Sequence, residues 1–187
     1  SKSTSGGSGV WSKPAGCNHV LVYVTGGGGG VRCNDNQYRG AGGGGGATAI
    51  RYIDVSNVSS VNYTYGGGGG YARNGGRGGT GGTSSFGNYV SSGGGQGANR
   101  RQQHEGATGG SPNQGSVRIY GGSGQGHRNP PGLGHGGTSF WGGSAPTAHR
   151  QQQWAQRHRA HAAYGAGGSS GRNSERGGDG RQGIVVV

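Results

Sequence analysis

Five consecutive glycines at Gly26 to Gly30, and five more at Gly66 to Gly70, limit what this chain can fold into more than any other feature. Glycine brings no side chain to bury and loses the most backbone freedom on ordering. The constraint runs through the whole chain: 53 of its 187 residues are glycine, and only 26% are hydrophobic. Too little apolar area leaves water to offset the ordering entropy of a conventional core of that length. By default, such a composition is low-complexity or disordered. A route to order nevertheless exists. Gly75-Gly76, Gly78-Gly79 and Gly81-Gly82 repeat every three residues, which is the turn of the polyproline II helix. Helices of this type have no internal hydrogen bonds. Packed side by side on glycine faces, they must bond through their backbones to one another.

Between the glycine blocks lie short strand-like pieces. Val20 to Thr25 is β-branched and aromatic and stops at Gly26. In Ala47 to Ile53, period-two alternation puts Ala47, Ala49, Arg51 and Ile53 on one face and Thr48, Ile50 and Tyr52 on the other. Val58 to Tyr65 aligns Val61, Tyr63 and Tyr65 and runs into Gly66. Trp11 to Gly16 reads as a turn feeding the first strand, with Pro14 and Gly16 as punctuation. Gly183-Ile-Val-Val-Val187 reads as a closing strand. The expected fold is all-β: a small antiparallel unit plus glycine-rich polyproline or polyglycine II segments with exposed loops. Residues 1–9 read as a connector, 10–65 as the strand-rich part, and 66–187 as the glycine-repeat part with variable loops.

The formal charge of +12 is carried almost wholly by arginine, since Lys2 and Lys13 are the lysines. Arginine makes planar, multidentate contacts to phosphate, carboxylate and sugar-acid groups. An anionic partner follows, either nucleic acid or an acidic cell-surface glycan. Cys17 and Cys33 are the two cysteines; they would form a disulfide in an extracellular setting or stand as two partly buried thiols. No apolar run approaches the length of a transmembrane helix, so membrane insertion is not expected.

Several pieces, taken in order, resemble the glycine-rich C-terminal domain of phage tail fibres. They begin with Gly9-Val-Trp-Ser-Lys-Pro-Ala-Gly16, the strand ending in Gly26 to Gly30, and Ile53-Asp-Val-Ser-Asn-Val-Ser-Ser-Val61. Gly82-Thr-Ser-Ser-Phe-Gly87 with Tyr89-Val90, Gly137-Thr-Ser-Phe-Trp-Gly-Gly143 and Tyr164-Gly-Ala-Gly-Gly168 follow. Gly177-Gly-Asp-Gly180 then closes on Gly183-Ile-Val-Val-Val187. The Trp-x-x-Pro-x-Gly opening paired with the Gly-Ile-Val-Val ending is the most specific part. The resemblance implies a virion-borne, extracellular domain at a fibre tip that binds a host cell-surface glycan or outer-membrane receptor during adsorption. It also implies other tail-fibre chains as partners, as a homotrimer or as a cap on a trimeric fibre whose shaft is a separate part. The basic, His-rich inserts and Cys17, where a small apolar residue is expected, depart from that pattern.

Candidate receptor contacts lie in four glycine-poor inserts. Arg100, Arg101 and His104 belong to the first; His127 and Arg128 precede two prolines that stiffen the second. Phe140 and Trp141 offer aromatic faces, for stacking on a sugar ring or simply for local packing. The insert from Ala148 to Ala163 supplies His149, Arg150, Trp154, Arg157, His158 and Arg159. As a helix it would align Trp154, His158 and His161; a long loop is the alternative. No carboxylate or cysteine joins its histidines, so no metal site is expected there, nor any cofactor. Five scattered acids and no nucleophile beside a base point away from catalysis. Two other readings stand: a structural virion fibre or decoration without receptor binding, or an arginine-glycine nucleic-acid binder using Arg77-Gly-Gly79 and Arg176-Gly-Gly178. Such binders repeat the motif many times and stay disordered until bound, so specific nucleic-acid binding is not the expectation.

Overall fold

The computed structural model describes residues 4–32, 40–72, 76–99, 106–126, 134–144, 162–170 and 177–187. No helix of the α type occurs among them. The described residues form nine strands: β1 (Gly7–Ser12), β2 (His19–Thr25), β3 (Thr48–Asp54), β4 (Ser60–Tyr65), β5 (Ser84–Phe86), β6 (Val90–Ser92), β7 (Pro112–Gln114), β8 (Val117–Ile119) and β9 (Ile184–Val186). They build a five-stranded sheet ordered β1-β4-β5-β6-β7 and a four-stranded sheet ordered β8-β3-β2-β9. Their pairings are antiparallel throughout. The all-β expectation is met.

Strand alternation supplies the apolar core. β2 and β3 pair from His19↔Asp54 to Thr25↔Thr48, which turns Val22, Val24, Ala49 and Ile53 to one side. There they meet Val61, Phe86 and Val90 of the other sheet, so the two sheets form a sandwich. Arg51 shares the inward rows, and its guanidinium donates to the Tyr89 carbonyl at 2.6 Å. β1 joins the sandwich with glycine at alternate positions, because the rings of Tyr65 and Tyr63 occupy the space where Cβ atoms of Gly7 and Gly9 would lie.

At the other end of these strands, the chain continues as glycine. β2, β4, β6 and β8 run on into 26–31, 66–72, 93–99 and 121–126. β3, β5, β7 and β9 are entered from 41–47, 76–83, 106–111 and 177–183. The hydrogen bonds of segment 26–31 repeat every third residue. Gly26 and Gly29 donate to Ala47 and Gly44, Gly27 and Gly30 to Gly82 and Gly79, and Gly28 and Val31 to Arg181 and Gly178. The carbonyls follow the same rule: Gly27 and Gly30 accept from Gly95 and Ala98, Gly28 and Val31 from Gly69 and Ala72, and Gly29 from Gly168. Three successive amides thus address three different neighbours, as three residues per turn require. Segment 26–31 is enclosed by six others, three antiparallel and three parallel to it. Segment 41–47 is enclosed in the same manner, its amides donating to 122–125, 165–168 and 93–96.

Close approach is what demands glycine here. A Cβ on Gly28, Gly30 or Gly44 would lie 2.0 Å from the carbonyl oxygen of Ala166, Gly70 or Thr108. At the periphery the demand relaxes to one position in three. In 76–83, Gly78 and Gly81 are buried while Arg77, Thr80 and Thr83 face solvent. The triplet spacing seen in the sequence is therefore the outer surface of an array whose inner members are unbroken glycine.

Candidate functional site

The end of the array away from the sandwich is where the chain departs from glycine. Residues flanking 33–39, 73–75, 100–105, 127–133 and 171–176 lie together there. Arg32 bridges to both Ala41 and Ala72, and Ala98 and Ala107 pack with Ala41 in a small buried cluster. Gln125 donates to the carbonyl of His135, Ser170 to that of Gly134, and Gly178 to that of Ser169. Short alanines fit because the helices remain close up to their last turn.

Arg100, Arg101, His104, His127 and Arg128 fall outside the described residues, but the chain ends that carry their segments meet at this end. Three described basic side chains stand nearby. Arg77 is exposed, with Nη2 3.3 Å from Gln96 Oε1; His135 is exposed, and Arg32 is buried. Sequence reasoning did not name His135 or Arg32 as contacts. The signal for His135 was its outward position in a three-residue rhythm with Thr138. Arg32 carried no signal, since a lone arginine after a glycine run does not announce burial.

Phe140 and Trp141 are placed elsewhere, at the junction of array and sandwich. They sit in a turn closed by Ser139 and Gly142. Trp141 Nε1 donates to Thr25 Oγ1 at 2.8 Å, and that oxygen also shares a buried bond of 2.7 Å with Thr48 Oγ1. Both rings approach Tyr23 at 6.1 Å and meet each other edge-on at 5.1 Å. The two aromatics are brought together, with local packing on β2, near the flanks of the 148–163 insert and away from the end where the flanks of the other inserts meet. His149, Arg150, Trp154, Arg157, His158 and Arg159 lie outside the described residues, as does the helix-or-loop question for that insert. Its flanks run beside segment 165–170: Ser169 Oγ donates to Ser144 Oγ at 3.2 Å, and Ala163 donates to the Gly143 carbonyl.

Cys17 carries a free thiol that donates to the His19 carbonyl at 3.4 Å; Cys33 lies outside the described residues. At the sandwich end, Asp54 accepts from the Ser56 amide at 2.8 Å. Hydrogen bonding by the Ser56 side chain and amide, helped by the charges of His19 and Lys13, holds the Asp54 carboxyl below the usual carboxylate range. His19 in turn stacks on Tyr52 at 5.2 Å with 6° between the rings.

Fold and geometry together define a class: a two-sheet sandwich continued by a hexagonally bonded bundle of threefold glycine helices. Residues 3–187 match a family described as a glycine-rich domain, and the chain belongs to that family. Comparison with curated proteins gives no match.

Proposed function

We propose that this chain is the distal domain of a phage tail fibre, carried on the virion and binding a host cell-surface glycan or outer-membrane receptor during adsorption. In this reading it binds and does not catalyse. One observation carries it: a backbone-bonded array with no room for side chains gathers the ends of several Arg- and His-rich inserts at a single end. Such a scaffold lets insert sequence vary without disturbing the fold, and loops on a rigid support are where recognition is ordinarily built. The sequences of the inserts whose described flanks meet at that end contain Arg39, Arg73, Arg100, Arg101, Arg128, Arg172 and Arg176, which suits an anionic surface such as a phosphorylated or acidic glycan. The arginine-glycine reading loses support, because Arg77-Gly78-Gly79 is part of the bonded array: Gly78 donates to Ala98 and Gly79 to Gly70.

The test exchanges residues 100–105 and 127–133 for Gly/Ser sequence of equal length and measures binding of the labelled chain to a panel of Gram-negative cells and to purified lipopolysaccharide. Salt-sensitive binding that disappears with unchanged melting temperature is expected. Binding unaltered by the exchanges would instead favour a structural fibre or decoration role. Binding to random oligonucleotides with equal strength would favour the nucleic-acid reading.

A further inference from the structure

The two sheets of the sandwich turn different outer faces to solvent. On the five-stranded sheet, register places Ser8, Val10 and Ser12 beside Thr64, Asn62 and Ser60, with Ser85 and Ser91 further along. That face is polar apart from Val10. On the four-stranded sheet two central outward rows are apolar, between the polar pairs His19–Asp54 and Thr25–Thr48. Val117, Ile50, Tyr23 and Val186 form one row across all four strands, and Leu21 and Tyr52 form the next. Phe140 and Trp141 continue this surface at the junction end, against Tyr23.

We propose that this outer face of the four-stranded sheet packs against the same face of a second copy of the chain. Tyr52 is 65% exposed, Val117 50% and Leu21 46%, with Phe140, Trp141 and Val186 also open to solvent. Together these side chains expose roughly 600 Å², at the upper end of what a soluble monomer leaves uncovered. It is also most of the ~800 Å² that one partner gives to a standard interface.

Charge favours a second copy over an acidic or basic stranger. The chain carries +12, yet the arginines of these strands, Arg51 and Arg118, fall in the inward rows of Val22 and Ala49. Among the described residues, His19 and Asp54 alone bring titratable charge to the outward rows, at one corner. Two such faces therefore meet without the repulsion that the insert ends of two copies would impose. A flat sheet face is also self-complementary: sheets pack face to face about 10 Å apart, and a twofold axis normal to the contact makes each patch its own partner. Neither the charge of this face nor its shape depends on what the inserts bind.

Sedimentation equilibrium of the full chain over a concentration series reaching about 100 μM measures the association directly. The structure predicts a dimer that Leu21→Asp and, separately, Tyr52→Asp weaken at least tenfold. Both positions are exposed, so the melting temperature measured at concentrations below the dimer range should hold. Asn62→Asp, on the polar face of the other sheet, should leave dimerisation unchanged. Should one face variant fail to fold, the other reads the same contact. A chain that stays monomeric throughout overturns the proposal, as does a dimer or trimer indifferent to both face variants.

Discussion

A methyl group on Gly44 would be placed 2.0 Å from the Thr108 carbonyl oxygen, whereas one on Gly70 meets nothing within 4 Å. The two glycines therefore have opposite prospects on substitution by alanine. Gly44→Ala forces two backbones apart and should cost about 3 kcal/mol or more, read as a melting temperature lower by roughly 6–12 °C in a chain of this size. Gly70→Ala should be neutral, or stabilising by up to about 1 kcal/mol, through the less flexible unfolded chain. Phe86 is fully buried among the sandwich valines, and Phe86→Ala should cost about 3–5 kcal/mol in a denaturant titration. Asp54 offers a milder test. Its folded pKa is depressed, so its contribution is fully present above the unfolded carboxylate pKa and is lost as pH falls through the folded one. Asp54→Asn should thus lower the melting temperature slightly at neutral pH, and the difference should vanish in acid once both carboxyl forms are protonated.

At the scale of elements, sequence periodicity reported those pieces whose inward residues have side chains. Val20 to Thr25, Ala47 to Ile53 and Val58 to Tyr65 announce β2, β3 and β4, and Gly183 to Val187 announces β9. β1 was silent, since Gly7 and Gly9 occupy two of its three inward positions, filled by the rings of Tyr65 and Tyr63 of β4, and Trp11 is left as its one inward side chain. β5 to β8 span three residues each, too short for alternation to show. Among the glycine helices, the triplet register was legible where one face meets water, as at Arg77, Thr80 and Thr83. It was illegible in Gly26 to Gly30, where all faces are interior. Neighbouring residues of an outer helix should therefore respond oppositely: Thr80→Ala should shift stability by less than about 0.5 kcal/mol, while Gly81→Ala drives a Cβ to 2.0 Å from the Gly27 carbonyl and should unfold the array in part. Circular dichroism melts of the pair would separate the two outcomes.

Across the whole molecule, two kinds of core share the work. The sandwich is held by buried apolar area, and the array by backbone hydrogen bonds worth about 1 kcal/mol net apiece. Ser84 stitches the two: its hydroxyl donates to the Thr25 carbonyl at 2.6 Å and accepts from the Gly66 amide at 2.9 Å. Length and composition could not reveal which insert ends meet, because that depends on six-neighbour packing and not on any local pattern. The candidate inserts were legible as residue types, arginine and histidine set between glycine blocks; the meeting of their described flanks at one end was not, and Phe140 and Trp141 belong to the other. If the array is the rigid support this account requires, its interior amides open only when the molecule unfolds. Native-state hydrogen exchange of Gly26 to Gly30 and Gly42 to Gly46, resolved by NMR, measures this directly. Protection equal to that of Val22 and Val24 in the sandwich is expected; exchange of these glycine amides at rates near those of an unstructured chain would rule out a rigid array.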